Sequence, residues 1–165
     1  MQFKYDESKW VYLAGIIDTE GSIGLSRVKG HRKWCGRFYV PYVLIMNTNK
    51  EFIDFLVTNY GGGYHAKARQ NGWGRKEIWG WKVRANLMRE ILPKVKPYLI
   101  IKKRQADFVL QALDIISEDK HLTRECYKSK LLENMAKLEE LWKECRKLNY
   151  RKGGERGVEN PQALS

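Results

Sequence analysis

The stretch LAGIIDTEG, Leu13 to Gly21, decides how the rest of the chain is read. It has the form of a helix whose last turns stop on a carboxylate and a glycine. Upstream, Asp6 is a candidate N-cap, and from Glu7 onward Trp10, Leu13, Ala14 and Ile17 recur at helical spacing. An internal Gly costs about 1 kcal/mol against Ala, so the pair Ala14 and Gly15 predicts that another backbone packs closely there. A buried helix with a Gly-ended terminus accounts for the small pair equally well. The acids are harder to place in that ordinary helix. Asp18 and Glu20 stand at the negative end of the helix dipole, where a carboxylate is destabilising by roughly 0.3 to 1 kcal/mol unless a cation or partner compensates. Function is the simplest reason for Glu20.

Working outward, Ser22 to Lys29 begins as an alternating strand with Ile23 and Leu25 on one face, and Gly36 to Met46 returns as a second strand. Pro41 predicts an edge or bulge position in it. Asn47, Thr48 and Asn49 offer caps for a helix from Lys50 to Asn59, with Phe52, Phe55 and Leu56 toward the core. A second hairpin has arms Tyr64 to Gln70 and Arg75 to Arg84 around an Asn71-Gly72 turn. In it, basic residues alternate with Trp79 and Trp81, which either touch nucleic acid or belong to the core. A short helix, Asn86 to Leu92, is expected to end near Pro93. Longer helices follow over Ile101 to Ser117, with Lys102, Lys103 and Arg104 positioned to favour a phosphate over its start, and over Thr123 to Tyr150. The apolar side of the last one includes Leu131, Leu138, Trp142 and Leu148.

The net charge is +12 over 165 residues, and it is unevenly spread. Residues 22 to 104 carry eighteen Lys and Arg against four acids, whereas residues 105 to 165 carry eleven of each. A positive field confined to the strand-rich half suits a polyanion. Cys35, Cys126 and Cys145 are too few and too widely spaced for a disulfide framework or a CxxC zinc site. No apolar run is long enough to cross a membrane, and the polar N-terminus is unlike a signal peptide, so an intracellular soluble protein is expected. One domain over residues 1–150 and a polar, flexible tail over 151–165 complete the organisation.

LAGIIDTEG resembles the signature of the LAGLIDADG homing endonucleases, with Leu13, Ala14, Gly15, Asp18, an acid at position 20 and Gly21 in register. The order αββαββα agrees with it over about residues 7 to 150. The resemblance implies an α+β fold with an antiparallel DNA-binding sheet shaped as a saddle. A single copy of the motif implies a homodimer through the motif helix, with Leu13, Ala14, Gly15, Ile17 and Asp18 at the interface. It further implies an intron-encoded enzyme, in a prokaryotic cytoplasm or an organelle, that cuts a long pseudo-palindromic duplex to leave short 3′ overhangs. Glu20, with the backbone carbonyl of Thr19, is implied as metal ligand, and Lys102 and Asn47 as supports of the water network. Mg²⁺ is the implied cofactor, with Mn²⁺ able to substitute and Ca²⁺ supporting binding without cleavage. Thr19 departs from the small residue usual there, and Glu20 replaces the commoner Asp.

Long polar side chains on the expected sheet are the candidate DNA contacts: Ser26, Arg27, Lys29, Arg32, Lys33, Arg37, Lys67, Arg69, Arg75 and Glu77. Neither a membrane nor a small-molecule substrate is expected. The alternative reading is a nucleic-acid binder that does not cleave, such as an intron RNA maturase, which needs only the basic sheet.

Overall fold

The computed structural model describes residues 5–29, 37–68, 77–119 and 127–149. In chain order it forms α1 (Tyr5–Thr19), β1 (Gly21–Lys29), β2 (Arg37–Asn47), α2 (Lys50–Tyr60), β3 (Gly63–Ala68), β4 (Glu77–Val83), α3 (Ala85–Val95), α4 (Lys103–Asp119) and α5 (Tyr127–Asn149). A 3-10 turn, Lys96–Tyr98, leads from α3 toward α4. The expected αββαββα order is present and is extended by two helices. Because α1 begins at Tyr5, Asp6 lies inside its first turn and is not the N-cap. Asn49 does cap α2, its side chain accepting from the Phe52 N–H at 3.2 Å.

The four strands form one antiparallel sheet in the order β1-β2-β4-β3. Ile23 pairs with Val43 and Ile45 with Trp81. These residues, with Leu25, Tyr39 and Val83, make the buried face that the helices cover. The alternate positions, Ser26, Val28, Phe38, Val40 and Lys82, are exposed on the opposite face. Among the described residues the sheet is therefore covered on one side and open on the other.

The register settles the tryptophans in favour of the core. Trp81 is fully buried and donates its indole N–H to the Gly61 carbonyl at 2.6 Å, and Trp79 packs against the same cluster. A glycine at position 62 makes this possible, since its φ is +94° and a Cβ there would lie 2.8 Å from the Trp81 indole nitrogen.

Four local expectations are corrected. Pro41 lies on an inner strand, but the β2–β4 ladder covers only Val43–Asn47, so Pro41 sits in a stretch where β2 has β1 alone as neighbour. Phe55 is exposed, because Ile53, Leu56 and Tyr60 take the inward face of α2. Helix α3 continues through Pro93 to Val95, held by buried Leu92 and Val95 and by the Lys96 N–H donating to the Leu92 carbonyl. Leu148 is exposed near the end of α5, where Leu138 and Cys145 are the buried anchors.

Helix α5 closes the β1 edge of the sheet. The Tyr39 hydroxyl donates to the Glu139 carboxylate, and the Asn149 amide donates to the Ile23 carbonyl at 3.1 Å. An edge strand with its carbonyl occupied is a poorer template for unwanted pairing. Cys145 is only 2% exposed, and burial pushes its thiol up to about 11 from an ordinary 9.0. The neutral thiol is the folded form, so its contribution to stability is complete below pH 9 and is lost as pH rises through 11. Denaturant titrations between pH 8 and pH 11 are expected to show a steeper alkaline loss of stability in the native chain than in Cys145→Ala.

Candidate functional site

The site is assembled where α1 stops. The strand must leave the helix sharply here, and Gly21 permits it: a Cβ at this position would lie 2.8 Å from both the Cα and the carbonyl oxygen of Ile17. Gly21 therefore fixes how close β1 starts to the last turn, and so where Glu20 stands.

That last turn is braced by a reciprocal clamp. The Asp18 carboxylate accepts from the backbone N–H groups of Ile100 at 2.7 Å, Ile101 at 3.3 Å and Lys102 at 2.9 Å. These donors lie in the loop leading into α4, where the chain has no helical acceptors for them. In return, the Lys102 ammonium donates to the carbonyls of Ile17 at 2.8 Å and Asp18 at 2.5 Å. Each helix end thus supplies the charge that the other lacks: an anion toward the positive end of α4 and a cation at the negative end of α1. The expectation of a phosphate over Lys102 gives way to this arrangement, since the ammonium is turned onto α1.

Glu20 is exposed immediately beyond the clamp. Its N–H donates to the Ile16 carbonyl at 2.8 Å, so the backbone is still held by the helix. Among the described residues its carboxylate has no hydrogen-bond or ion-pair partner. Asn47 ends β2, and because Gly21 pairs with Ile45, Glu20 and Asn47 leave the same end of the β1–β2 pair. The Asn47 Oδ1 accepts from the Asn49 N–H at 2.9 Å and shapes the turn into α2. Its amide NH₂ is not used by that turn.

The outward face of α1 differs from the expected one. Leu13, Ala14 and Ile17 are buried in this chain's own core and are withdrawn as surface residues for a mate. Asp18 likewise spends its carboxylate within the chain. Gly15 does remain exposed, with open space where a Cβ would be, and it lies in a stripe with Ser8, Val11, Tyr12 and Thr19. The Thr19 hydroxyl folds back onto the Gly15 carbonyl at 2.9 Å. Beside the stripe, exposed Phe55 meets Tyr12 edge to face at 5.9 Å. The spacing of Ser8, Tyr12, Gly15 and Thr19 was available in the sequence, but the apolar residues surround the helix, and periodicity alone could not say which side faced inward.

The candidate DNA contacts divide in the same way. Ser26 is exposed on the open face, and Lys29 and Glu77 are exposed at strand ends. Arg27 is exposed but lies toward the helices, its guanidinium 4.3 Å from the centre of the Trp142 ring and 3.5 Å from Glu139. Arg32, Lys33, Arg69 and Arg75 lie outside the described residues, as do the side chains of Arg37 and Lys67. Among the described residues no group of three His, Cys, Asp or Glu forms a metal cage, and no helix is long and apolar enough to cross a membrane.

The clamp yields a measurable expectation. Asp18→Ala leaves three N–H groups without their charged acceptor and is expected to cost about 1.5 to 3 kcal/mol in a urea titration. Asp18→Asn keeps one acceptor oxygen and should lose distinctly less.

No family model matches the sequence. A relative, the DNA endonuclease I-CreI of Chlamydomonas reinhardtii, is 28% identical over 123 residues, covering 69% of this chain and 68% of its own length. Among solved structures, the homing endonuclease I-CvuI superposes with a TM-score of 0.71 at 19% identity, covering 93% of this chain and 88% of that one. The archaeal intron-encoded homing endonuclease I-Vdi141I gives 0.68 at 20% identity, over 92% and 89%. The LAGLIDADG homing endonuclease I-SmaMI gives 0.60 at 21% identity, over 81% of this chain but 42% of that one. In signature, relative and fold the chain is similar to the LAGLIDADG homing endonucleases.

Proposed function

We propose that the chain is a site-specific DNA endonuclease that works as a homodimer and hydrolyses phosphodiester bonds with a divalent cation. The observation that carries this reading is Glu20: an exposed carboxylate, without a partner among the described residues, at the end of a helix braced by the Asp18–Lys102 clamp. The relative and the structural neighbours are DNA endonucleases, and the I-CvuI complexes were prepared with DNA in the presence of Mg or Ca. The open sheet face and the basicity of residues 22 to 104 suit the same polyanion.

The donor set fits a hard cation. One chain offers the Glu20 carboxylate and nearby backbone carbonyls such as that of Thr19, all oxygen, and no group of three His, Cys, Asp or Glu among the described residues. Mg²⁺ is commonly held by one or two carboxylates and substrate phosphates while keeping several waters, so one carboxylate from each of two chains is the matching number. When bound, such a cation supplies the Lewis acidity that activates water and stabilises the leaving 3′ oxygen. The protein's own part is positional. Gly15, in the exposed stripe of α1, lets a second copy of the helix approach, so that two Glu20 carboxylates converge. Lys102 holds the helix terminus, and with it the reach of Glu20. Asn47, at the same end of the sheet, has its amide donors available to orient solvent.

Glu20→Gln removes the charge and keeps the shape. Purified native and variant proteins incubated with a randomised duplex library are expected to bind the same site in Ca²⁺, while only the native protein cuts it in Mg²⁺. The cut is expected to depend on both half-sites, because a twofold protein reads a twofold site. Selective binding without cleavage by the native protein in Mg²⁺ would overturn the enzymatic reading in favour of a non-cleaving binder.

A further inference from the structure

The β2–β4 ladder ends at the pair Val43 and Val83, yet β2 runs on to Arg37 beside β1 alone. The two arms of the sheet therefore part, and a cleft of about 370 Å³ opens between Val40 and Pro41 on one arm and Gly63, Lys82 and Arg84 on the other. Among the described residues neither wall carries an acid. Lys82 and Arg84 are both exposed, and Gly63, which pairs with Lys82, leaves open space beside it.

Some cations elsewhere in the basic half are neutralised within the fold, although Lys29, Lys103 and Arg104 have no acid partner among the described residues. Lys50 pairs with Asp54 at 2.8 Å, Arg89 with Asp114 at 3.0 Å, and Lys96 with Asp107. Among the described residues Lys82 and Arg84 have no such partner. Two uncompensated cations in one concavity focus a positive potential there, and the tetrahedral oxygens of a phosphodiester match their donors.

We propose that a backbone phosphate of the duplex seats in this cleft, held by Lys82 and Arg84. The inference rests on the DNA-binding reading above and gives a place to two basic residues of the second hairpin that are not among the ten candidate contacts chosen from the sequence. Phosphate contacts fix register without reading bases, so this one sets affinity and not sequence preference. Its site is at the parting of the sheet arms, in a concavity that the fold itself creates.

The test is fluorescence anisotropy of a selected target duplex and of an unrelated duplex, in Ca²⁺, over a potassium chloride series. Lys82→Gln and Arg84→Gln are expected to weaken both duplexes by the same factor. Each should flatten the slope of log affinity against log salt by about 0.9, and the double variant by about twice that. Both side chains are exposed, so thermal melts should coincide with the native protein and exclude misfolding. An unchanged salt slope, or a loss confined to particular base pairs, overturns the proposal. If the native protein binds neither duplex, the DNA reading itself fails, and the phosphate site with it.

Discussion

Two helix termini that are each badly placed alone hold the centre of this molecule together. Helix α1 has no basic residue in its last turn, and α4 has no acid in its first. Each end would leave backbone groups and dipole charge unanswered. The Asp18 carboxylate and the Lys102 ammonium answer both across a sequence separation of 84 residues. The bonds are charge-assisted and involve backbone at one end, so they fix main-chain position more than side-chain position. Anything attached to that backbone inherits the precision, and Glu20 is two residues away.

The sheet then gives the braced terminus a surface to work with. Helices cover one face through Ile23, Val43, Ile45, Trp81 and Val83, and among the described residues the other face stays open. Helix α5 occupies the β1 edge with Glu139, Trp142 and Asn149, and there it gives Arg27 an acid and an aromatic neighbour. Basic composition is therefore an upper limit on what a polyanion can meet. Which cations remain depends on parity along each strand and on acids brought close by the helices.

Much of the architecture was legible because local chemistry agreed with it. The Gly-ended helix, the alternation at Ile23 and Leu25 and the Asn49 cap all act over a few residues, where sequence spacing and physical contact coincide, whereas the Asn71-Gly72 turn lies outside the described residues. The candidate site was legible in part. Glu20 stood out because a carboxylate at a helix C-terminus is electrostatically wrong without a purpose. Asp18 looked the same by that argument and has a different task, because its partners are the N–H groups of Ile100, Ile101 and Lys102, far along the chain.

The sequence by itself determined the element order, the basic half, the family resemblance and the presence of a carboxylate at the end of α1. Tertiary structure decided orientation: that Leu13, Ala14 and Ile17 turn inward while Gly15 turns outward, that Arg27 belongs to α5, and that Lys82 and Arg84 share a cleft. The reason is physical. Propensity, capping and alternation are properties of neighbours in the chain, whereas the inward side of an all-round apolar helix, and the partner of a charge, depend on segments that only folding brings together.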